Sequence, residues 1–246
     1  MPLIHALGTT VQVELGEEID PDEFAQAWSR CLIPPRGETE ADLGDGTTPV
    51  VRGQRSMTSL TQSITRALIE RRAGELLMFH AGAVCHPTTG DSIAYVAPGG
   101  TGKTTLSRLL GTRYGYLTDE TVGIVPGSWE IKPYPKPLST RGPEGGYPKT
   151  EVSPDALGLL DAHPCPRLTT LTVLRRTQGR AQASFSRMEL FDAITTLVPE
   201  TSSLPALEKP LALLAELYEQ LGGFWLLEFS ESEQLTSWID SRLGLT

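Results

Sequence analysis

A glycine-rich octet between a predicted strand and a predicted helix constrains the fold of this chain more than any other segment. It reads Ala97-Pro98-Gly99-Gly100-Thr101-Gly102-Lys103-Thr104 and matches the pattern small-x-x-x-x-Gly-Lys-Thr. The apolar run 92–96 before it is typical of a strand, and the spacing of residues 104–110 after it predicts a helix. A strand–loop–helix context is what this motif needs to bind phosphate. The octet therefore predicts an α/β domain that binds the triphosphate of ATP or a similar nucleotide.

The residue types of this loop fit polyphosphate binding. Its glycines let the backbone turn so that successive N–H groups point inward, and the following helix N-terminus adds positive potential. Lys103 is placed to reach the β- and γ-phosphates, and the Thr104 hydroxyl to bind Mg²⁺. Ala97 stands where the usual pattern has glycine, which a negative φ makes tolerable. The predicted nucleotide-binding residues are Pro98, Gly99, Gly100, Thr101, Gly102, Lys103, Thr104 and Thr105.

Two further polar segments lie close to the loop in the sequence. Asp119, in Leu117-Thr118-Asp119-Glu120, follows Lys103 by one predicted helix and one short strand, so the chain returns beside the loop. His80, in His80-Ala81-Gly82-Ala83-Val84, is expected at the end of the predicted strand 76–79. The later strands predicted at 168–174 and 224–229 do not end in Asp. Asp119 is therefore the best candidate for the acidic partner of the loop.

In order and spacing, these three segments resemble the core of the HPr kinase/phosphorylase family. The resemblance extends to the broader HPr-kinase-like serine kinases, which include kinases that modify lasso peptides, and it covers about residues 80–125. It implies a P-loop mixed sheet flanked by helices, like the core that this family shares with phosphoenolpyruvate carboxykinase. It also implies that Asp119 is the base that accepts the hydroxyl proton and that His80 is its electrostatic neighbour. Glu120 stands where the family usually has a second Asp and would orient Mg²⁺ through water.

Elementary phosphoryl-transfer chemistry supports the same roles. The reaction needs charge neutralisation and in-line positioning more than covalent chemistry. A carboxylate within hydrogen-bond reach of the acceptor hydroxyl provides the positioning. Arg141, in Arg141-Gly142-Pro143-Glu144-Gly145-Gly146, is predicted to close over the nucleotide as a cation for the transition state. Arg175 and Arg176, at the end of the strand 168–174, are the alternatives.

The leading hypothesis is ATP-dependent transfer of the γ-phosphoryl group to a serine-type hydroxyl of a peptide or small protein. ATP and Mg²⁺ are the expected cofactors, with Thr104, Asp119 and Glu120 as the metal residues. Two alternatives remain open. One is a non-catalytic ATP-binding regulatory or assembly protein, which the departures at Ala97 and Glu120 would suit. The other is a small-molecule hydroxyl kinase on the same core. The family resemblance also suggests a homo-oligomer.

Composition narrows the partners and the compartment. The formal net charge of −9 would repel a nucleic-acid backbone, so DNA and RNA are not expected partners. The first residues do not form a signal peptide, and no apolar stretch is long enough for a membrane span. Cys31, Cys85 and Cys165 have no paired spacing and are expected to be buried thiols in a reducing compartment. The sequence thus predicts a cytoplasmic protein without a membrane partner.

The length of 246 residues suits one large α/β domain, alone or with an appendage. We divide the chain into an N-terminal strand–helix–loop extension, residues 1–57, and a P-loop kinase-like domain, residues 58–246. Residues 34–53 and 126–149 are rich in Pro and Gly, which predicts loops.

Overall fold

The structure is a computed structural model, and it describes residues 1–33, 48–52, 55–140 and 150–244. The α-helices along these residues are α1 Pro21–Ala27, α2 Met57–Arg71, α3 Lys103–Gly111, α4 Leu190–Leu197, α5 Pro210–Gln220 and α6 Thr236–Leu243. The β-strands are β1 Leu3–Ala6, β2 Thr9–Val13, β3 Leu32–Ile33, β4 Val50–Val51, β5 Leu77–Cys85, β6 Asp91–Val96, β7 Gly115–Thr118, β8 Thr121–Ile124, β9 Ile131–Lys132, β10 Leu138–Thr140, β11 Thr150–Val152, β12 Arg167–Arg176, β13 Ser184–Arg187, β14 Thr201–Ser202 and β15 Trp225–Phe229.

The chain forms two compact units. The first contains Met1–Arg72 and Tyr134–Leu157, and the second contains Ala73–Pro133 and Gly158–Thr246. These units do not follow the division expected between residues 57 and 58. Helix α2 belongs to the first unit, where its Thr65 hydroxyl and the Tyr134 hydroxyl are 2.7 Å apart in a buried hydrogen bond. The first unit therefore draws on two separate stretches of the chain.

The first unit is built on a four-stranded sheet with the order β3-β1-β2-β4. The first helix of this unit, α1, begins at a capped end, because the Asp20 side chain accepts hydrogen bonds from Asp22 N and Glu23 N. The loops predicted at 34–53 and 126–149 lie partly outside the described residues. Where they are described, they are not entirely loop, since β4, β9 and β10 form there. These strands are only two or three residues long, so pairing with neighbours creates them rather than local pattern.

The second unit is a mixed sheet with helices on both faces. Its strand order is β13-β15-β12-β6-β5-β8-β9, with β6, β12 and β15 parallel to one another and β5 antiparallel to β6. One apolar face packs against α4 and α5, and the other packs against α3 and α6. Neighbouring residues of β6 alternate between the two faces, as strand geometry requires. The expected α/β class, a mixed sheet flanked by helices, is confirmed.

Strand β5 is the hub of this sheet. Its first half, up to His80, pairs with β8, while its second half, from Ala81 onward, pairs with β6. Strand β7 joins the second half and β14 joins the first half. His80 therefore lies inside a nine-residue strand and not at its end, so the expected strand end at residue 79 is wrong. The Ala and Gly residues after His80 favour strands weakly, and pairing on both sides overrides that preference.

Gly82 of β5 is required by close packing. A Cβ atom there would lie 2.2 Å from Cε2 of Tyr95 and 2.9 Å from Oγ of Ser107. The buried Tyr95 ring has little room to move, because its hydroxyl lies 2.5 Å from Ser107 Oγ in a hydrogen bond to α3.

We expect Gly82→Ala to lower the free energy of unfolding by roughly 1–3 kcal/mol, the usual cost of overpacking. Chemical denaturation measures this loss. In a Tyr95→Leu background the same change should cost clearly less, because the two positions are in contact. Equal costs in both backgrounds would contradict the packing explanation.

None of the helices within the described ranges is long and apolar enough to cross a bilayer. Cys31 and Cys85 are buried free thiols, as expected. The expectation fails for Cys165, which is exposed. Cys165 lies in the turn ahead of β12, where its N–H donates to His163 Nδ1 at 3.1 Å.

Candidate active site

The glycine-rich octet 97–104, named the phosphate loop from here on for its predicted ligand, leaves the end of β6 and leads directly into α3. Ala97 is fully buried. It is not among the described non-glycine residues with positive φ, which is the condition under which alanine can replace glycine at this position. Gly100 and Gly102 have φ values of +83° and +113°, a region that favours glycine. A Cβ atom on Gly99, Gly100 or Gly102 would meet no atom within 4 Å. Gly100 and Gly102 are therefore needed for the backbone conformation, and the space around all three glycines is open.

The N-terminus of α3 faces this open space without a side-chain cap. Its N-cap residue is Gly102, which offers no side-chain oxygen to the first N–H groups of the helix. The first N–H groups of a helix have no partner within the helix, and anions bind there readily. An open glycine loop with uncapped helix amides fits a polyphosphate.

Lys103 is the first residue of α3, and it is only 6% exposed. Its ammonium group donates to the carbonyl of Ala97 and, at 3.2 Å, to that of Pro98. Burial lowers the pKa of Lys103 to about 8, against the opposing effect of three carboxylates, Glu200, Asp119 and Glu120. This lysine is held in place by the loop and is partly neutral at mildly alkaline pH.

Nucleotide affinity should therefore fall as the pH rises through 8. The ammonium is charged below the pKa of about 8 and loses its charge above it. Only the charged form attracts phosphate, so we expect about tenfold weaker ATP binding at pH 9 than at pH 7. Calorimetry across this range measures the effect. Lys103→Arg is the control, because a guanidinium does not titrate there and its profile should be flat. Parallel profiles for the two proteins would contradict the assignment.

An acidic turn follows β7 and faces the loop. The Thr118 hydroxyl fixes this turn by accepting hydrogen bonds from Glu120 N at 3.2 Å and Thr121 N at 3.3 Å. The Asp119 carboxylate is only 5% exposed. It accepts hydrogen bonds from the Thr104 hydroxyl at 2.7 Å and from the Tyr116 hydroxyl at 3.1 Å. The last residue of the phosphate-loop motif is thereby joined directly to the acidic turn.

His80 contacts the same turn from β5. Its Nδ1 lies 3.1 Å from the carbonyl oxygen of Glu120, and a carbonyl can only accept, so Nδ1 carries the proton. Burial lowers the pKa of His80, and the charge of Lys103 lowers it further, against smaller opposing effects of Glu120 and Glu200. The imidazole is therefore neutral at pH 7, and Nε2 has a free lone pair. His80 is coupled to the turn through the backbone of Glu120.

The structure brings together most of the residues predicted for the site. Thr105 is in the first turn of α3 and is exposed. Arg141 lies outside the described residues. The alternative arginines already have ion-pair partners. The Nη1 atom of Arg175 lies 3.3 Å from Oε1 of Glu228, and the Nη2 atom of Arg176 lies 3.2 Å from Oε2 of Glu231.

Sequence reasoning missed one acidic residue of the site, Glu200. It ends the 3-10 turn Val198–Glu200 after α4 and directly precedes β14. Thr201 of β14 is opposite Phe79 of β5 in an antiparallel pair, so Glu200 comes next to His80. The two paired segments are more than a hundred positions apart in sequence, and Glu200 has no local motif. Only the tertiary pairing identifies it.

The metal residues expected from the sequence were Thr104, Asp119 and Glu120. Among the described residues, no group of three or more His, Cys, Asp or Glu side chains is arranged to hold a metal ion alone. Mg²⁺ does not need such a group, because it usually takes one or two protein oxygens together with substrate phosphates and water. The adjacent hydroxyl and carboxylate oxygens of Thr104 and Asp119, 2.7 Å apart, fit that requirement.

The chain was compared with protein-family models, curated proteins and solved structures. No protein-family model matches the chain, and no curated protein matches it. Among solved structures, the fold is similar to the HPr(Ser) kinase/phosphatase from Coxiella burnetii, at 10% sequence identity and a TM-score of 0.33. The similarity covers 68% of this chain and 93% of that one. A similarity of this size carries no argument about function, which has to come from the site.

Proposed function

We propose that this chain is an ATP-dependent kinase that transfers the γ-phosphoryl group to a serine-type hydroxyl of a peptide or small protein. The observation that carries the proposal is the 2.7 Å hydrogen bond between the Thr104 hydroxyl and the Asp119 carboxylate. It joins a phosphate-binding loop to a buried acidic residue, which is the combination that phosphoryl transfer needs.

In this proposal the loop neutralises charge on the transferred group. The loop amides, the N-terminus of α3 and Lys103 bind the phosphates, and they are held in position before the reaction begins. Such preorganised groups stabilise the transition state more than mobile water does. The Lys103 ammonium needs only to exchange its carbonyl partners in the loop for phosphate oxygens.

Asp119 is the proposed base. Its carboxylate is buried beside the loop, and it accepts the proton as the acceptor hydroxyl attacks phosphorus. His80 positions the acidic turn through the carbonyl of Glu120. Arg141 stays a prediction as the cation that closes over the nucleotide.

Mg²⁺ fits beside these residues. The Thr104 hydroxyl and the Asp119 carboxylate would hold the ion, with Glu120 orienting it through water. When bound, the ion would neutralise negative charge on the β- and γ-phosphates.

Incubation with ATP labelled in the γ-phosphate, a serine-peptide library and a panel of small hydroxyl compounds tests the proposal. A labelled peptide is the expected result. Labelled small molecules would favour the small-molecule kinase instead. Tight ATP binding without any labelled acceptor or ATP hydrolysis would favour the regulatory ATP-binding protein.

A further inference from the structure

The site carries an excess of negative charge before any nucleotide binds. Three carboxylates, those of Glu200, Asp119 and Glu120, act on the single ammonium of Lys103. A nucleotide triphosphate adds further negative charge at the same place. Mg²⁺ held by Thr104 and Asp119 would offset part of that charge.

Glu200 reaches this site by a route separate from the acidic turn. His80 pairs with Thr121 of β8 on one side of β5, and β14 lies on the other side, with Thr201 opposite Phe79. Glu200 and Glu120 therefore flank His80 from two sides, and both carboxylates act on it. Among the described residues, Glu200 is partly exposed and has no hydrogen-bond or ion-pair partner. Its carboxylate is available to a ligand.

Glu200 offers a ligand a single, partly exposed carboxylate. A single ammonium or guanidinium needs only one carboxylate. In the proposed reaction, the acceptor is the molecule that approaches the γ-phosphate from outside the loop. The acceptor is therefore the ligand that could carry such a cation to Glu200.

We infer that the acceptor carries a positive charge beside its hydroxyl group and that the Glu200 carboxylate binds that charge. The inference rests on the proposed transfer reaction. It narrows the acceptor to a class: a serine flanked by lysine or arginine, rather than a serine in an acidic segment. Glu200 would thus select the acceptor by charge, and an acidic peptide would be repelled.

The test uses two fluorescent peptide libraries with a central serine, one with lysine and one with glutamate on both sides of it, and random outer positions. Fluorescence anisotropy measures their binding to the full chain loaded with Mg²⁺ and a non-hydrolysable ATP analogue. We expect the lysine library to bind about tenfold more tightly. One partly exposed ion pair with Glu200 contributes up to about fivefold, and repulsion of the glutamate side chains by the acidic site adds a further factor of about two. Glu200→Gln should reduce this preference to about twofold or less.

Glu216→Gln is the matched control. It removes the same charge from an exposed position on α5, and it should leave the preference unchanged. No charge preference in the unaltered protein, or an undiminished preference in Glu200→Gln, would overturn the inference. Labelling of both libraries from ATP at equal rates would overturn it too, while the proposed kinase function stands. Charge-dependent binding through Glu200 without any labelled peptide would support the cation site and sink the kinase function.

Discussion

Asp119→Asn should lower the rate of phosphoryl transfer by about 10²–10⁴-fold, the usual contribution of a general base. Asparagine keeps the shape of the side chain, and its amide oxygen can still accept the hydrogen bond that Thr104 donates at 2.7 Å. It cannot accept the hydroxyl proton. Nucleotide affinity should therefore change little, and the loss should appear in turnover. Transfer to a labelled acceptor measures it, and slow ATP hydrolysis serves while the acceptor is unidentified.

The dependence on Mg²⁺ separates the two roles proposed for Asp119. Loss of a base leaves the half-saturating Mg²⁺ concentration unchanged, whereas loss of a metal ligand raises it. Asp192→Asn on α4 is the control, because its carboxylate is exposed and lies outside the site. Full activity in Asp119→Asn would contradict the mechanism.

The contribution of His80 follows from a double-mutant cycle with Asp119. His80 contacts the acidic turn through the carbonyl of Glu120, so its effect should pass through the position of Asp119. Its replacement by Ala should then cost much less once Asp119 is already Asn, because residues that act as a unit are not additive. Additive losses of transfer rate would mean that His80 does not act through Asp119 and has only a structural role.

The second large effect is expected for Lys103→Ala, which should weaken ATP binding by about 10–100-fold. A charge-assisted hydrogen bond contributes about 1.5–3 kcal/mol, and each 1.4 kcal/mol corresponds to a factor of ten. Without the ammonium, only backbone amides and the helix N-terminus neutralise the phosphates. Calorimetry with Mg²⁺ and ATP measures the change.

Arg108→Ala is the matched control for this substitution. Arg108 is an exposed cation in the last turn of α3, so its loss removes a positive charge from the same helix without altering the loop. Its affinity for ATP should stay within about twofold of the unaltered protein, as for most surface substitutions. Equal affinities for Lys103→Ala and the unaltered protein would mean that the nucleotide binds elsewhere or does not bind.

The part of the site that a local pattern encodes could be predicted from the sequence. The strand, loop and helix around Lys103 are contiguous, so their order alone predicts where a phosphate would bind. The turn at Asp119 could also be predicted, because one helix and one short strand return the chain to the loop. The mixed α/β class follows from the same alternation of strands and helices.

What could not be predicted depends on pairing between distant segments. Strand β5 runs through Ala81 and Gly82, whose intrinsic preference is against a strand, and only its neighbours on both sides keep it extended. Glu200 enters the site because two residues of β14 pair with β5. The extent of the first unit could not be predicted either, because its two stretches, Met1–Arg72 and Tyr134–Leu157, lie on opposite sides of the phosphate loop in the sequence.

The central place of β5 also decides when the site can form during synthesis. The ribosome produces the phosphate loop well before it produces β14, yet Glu200 cannot take its place beside His80 until Thr201 has paired with Phe79. A nascent chain that ends between β8 and α4 therefore contains Lys103 and Asp119 but lacks the strand β14 that pairs with β5. Such long-range pairing slows folding, because the loop between the partners must close first. The site is thus completed only after the segment that contains Thr201 has left the ribosome.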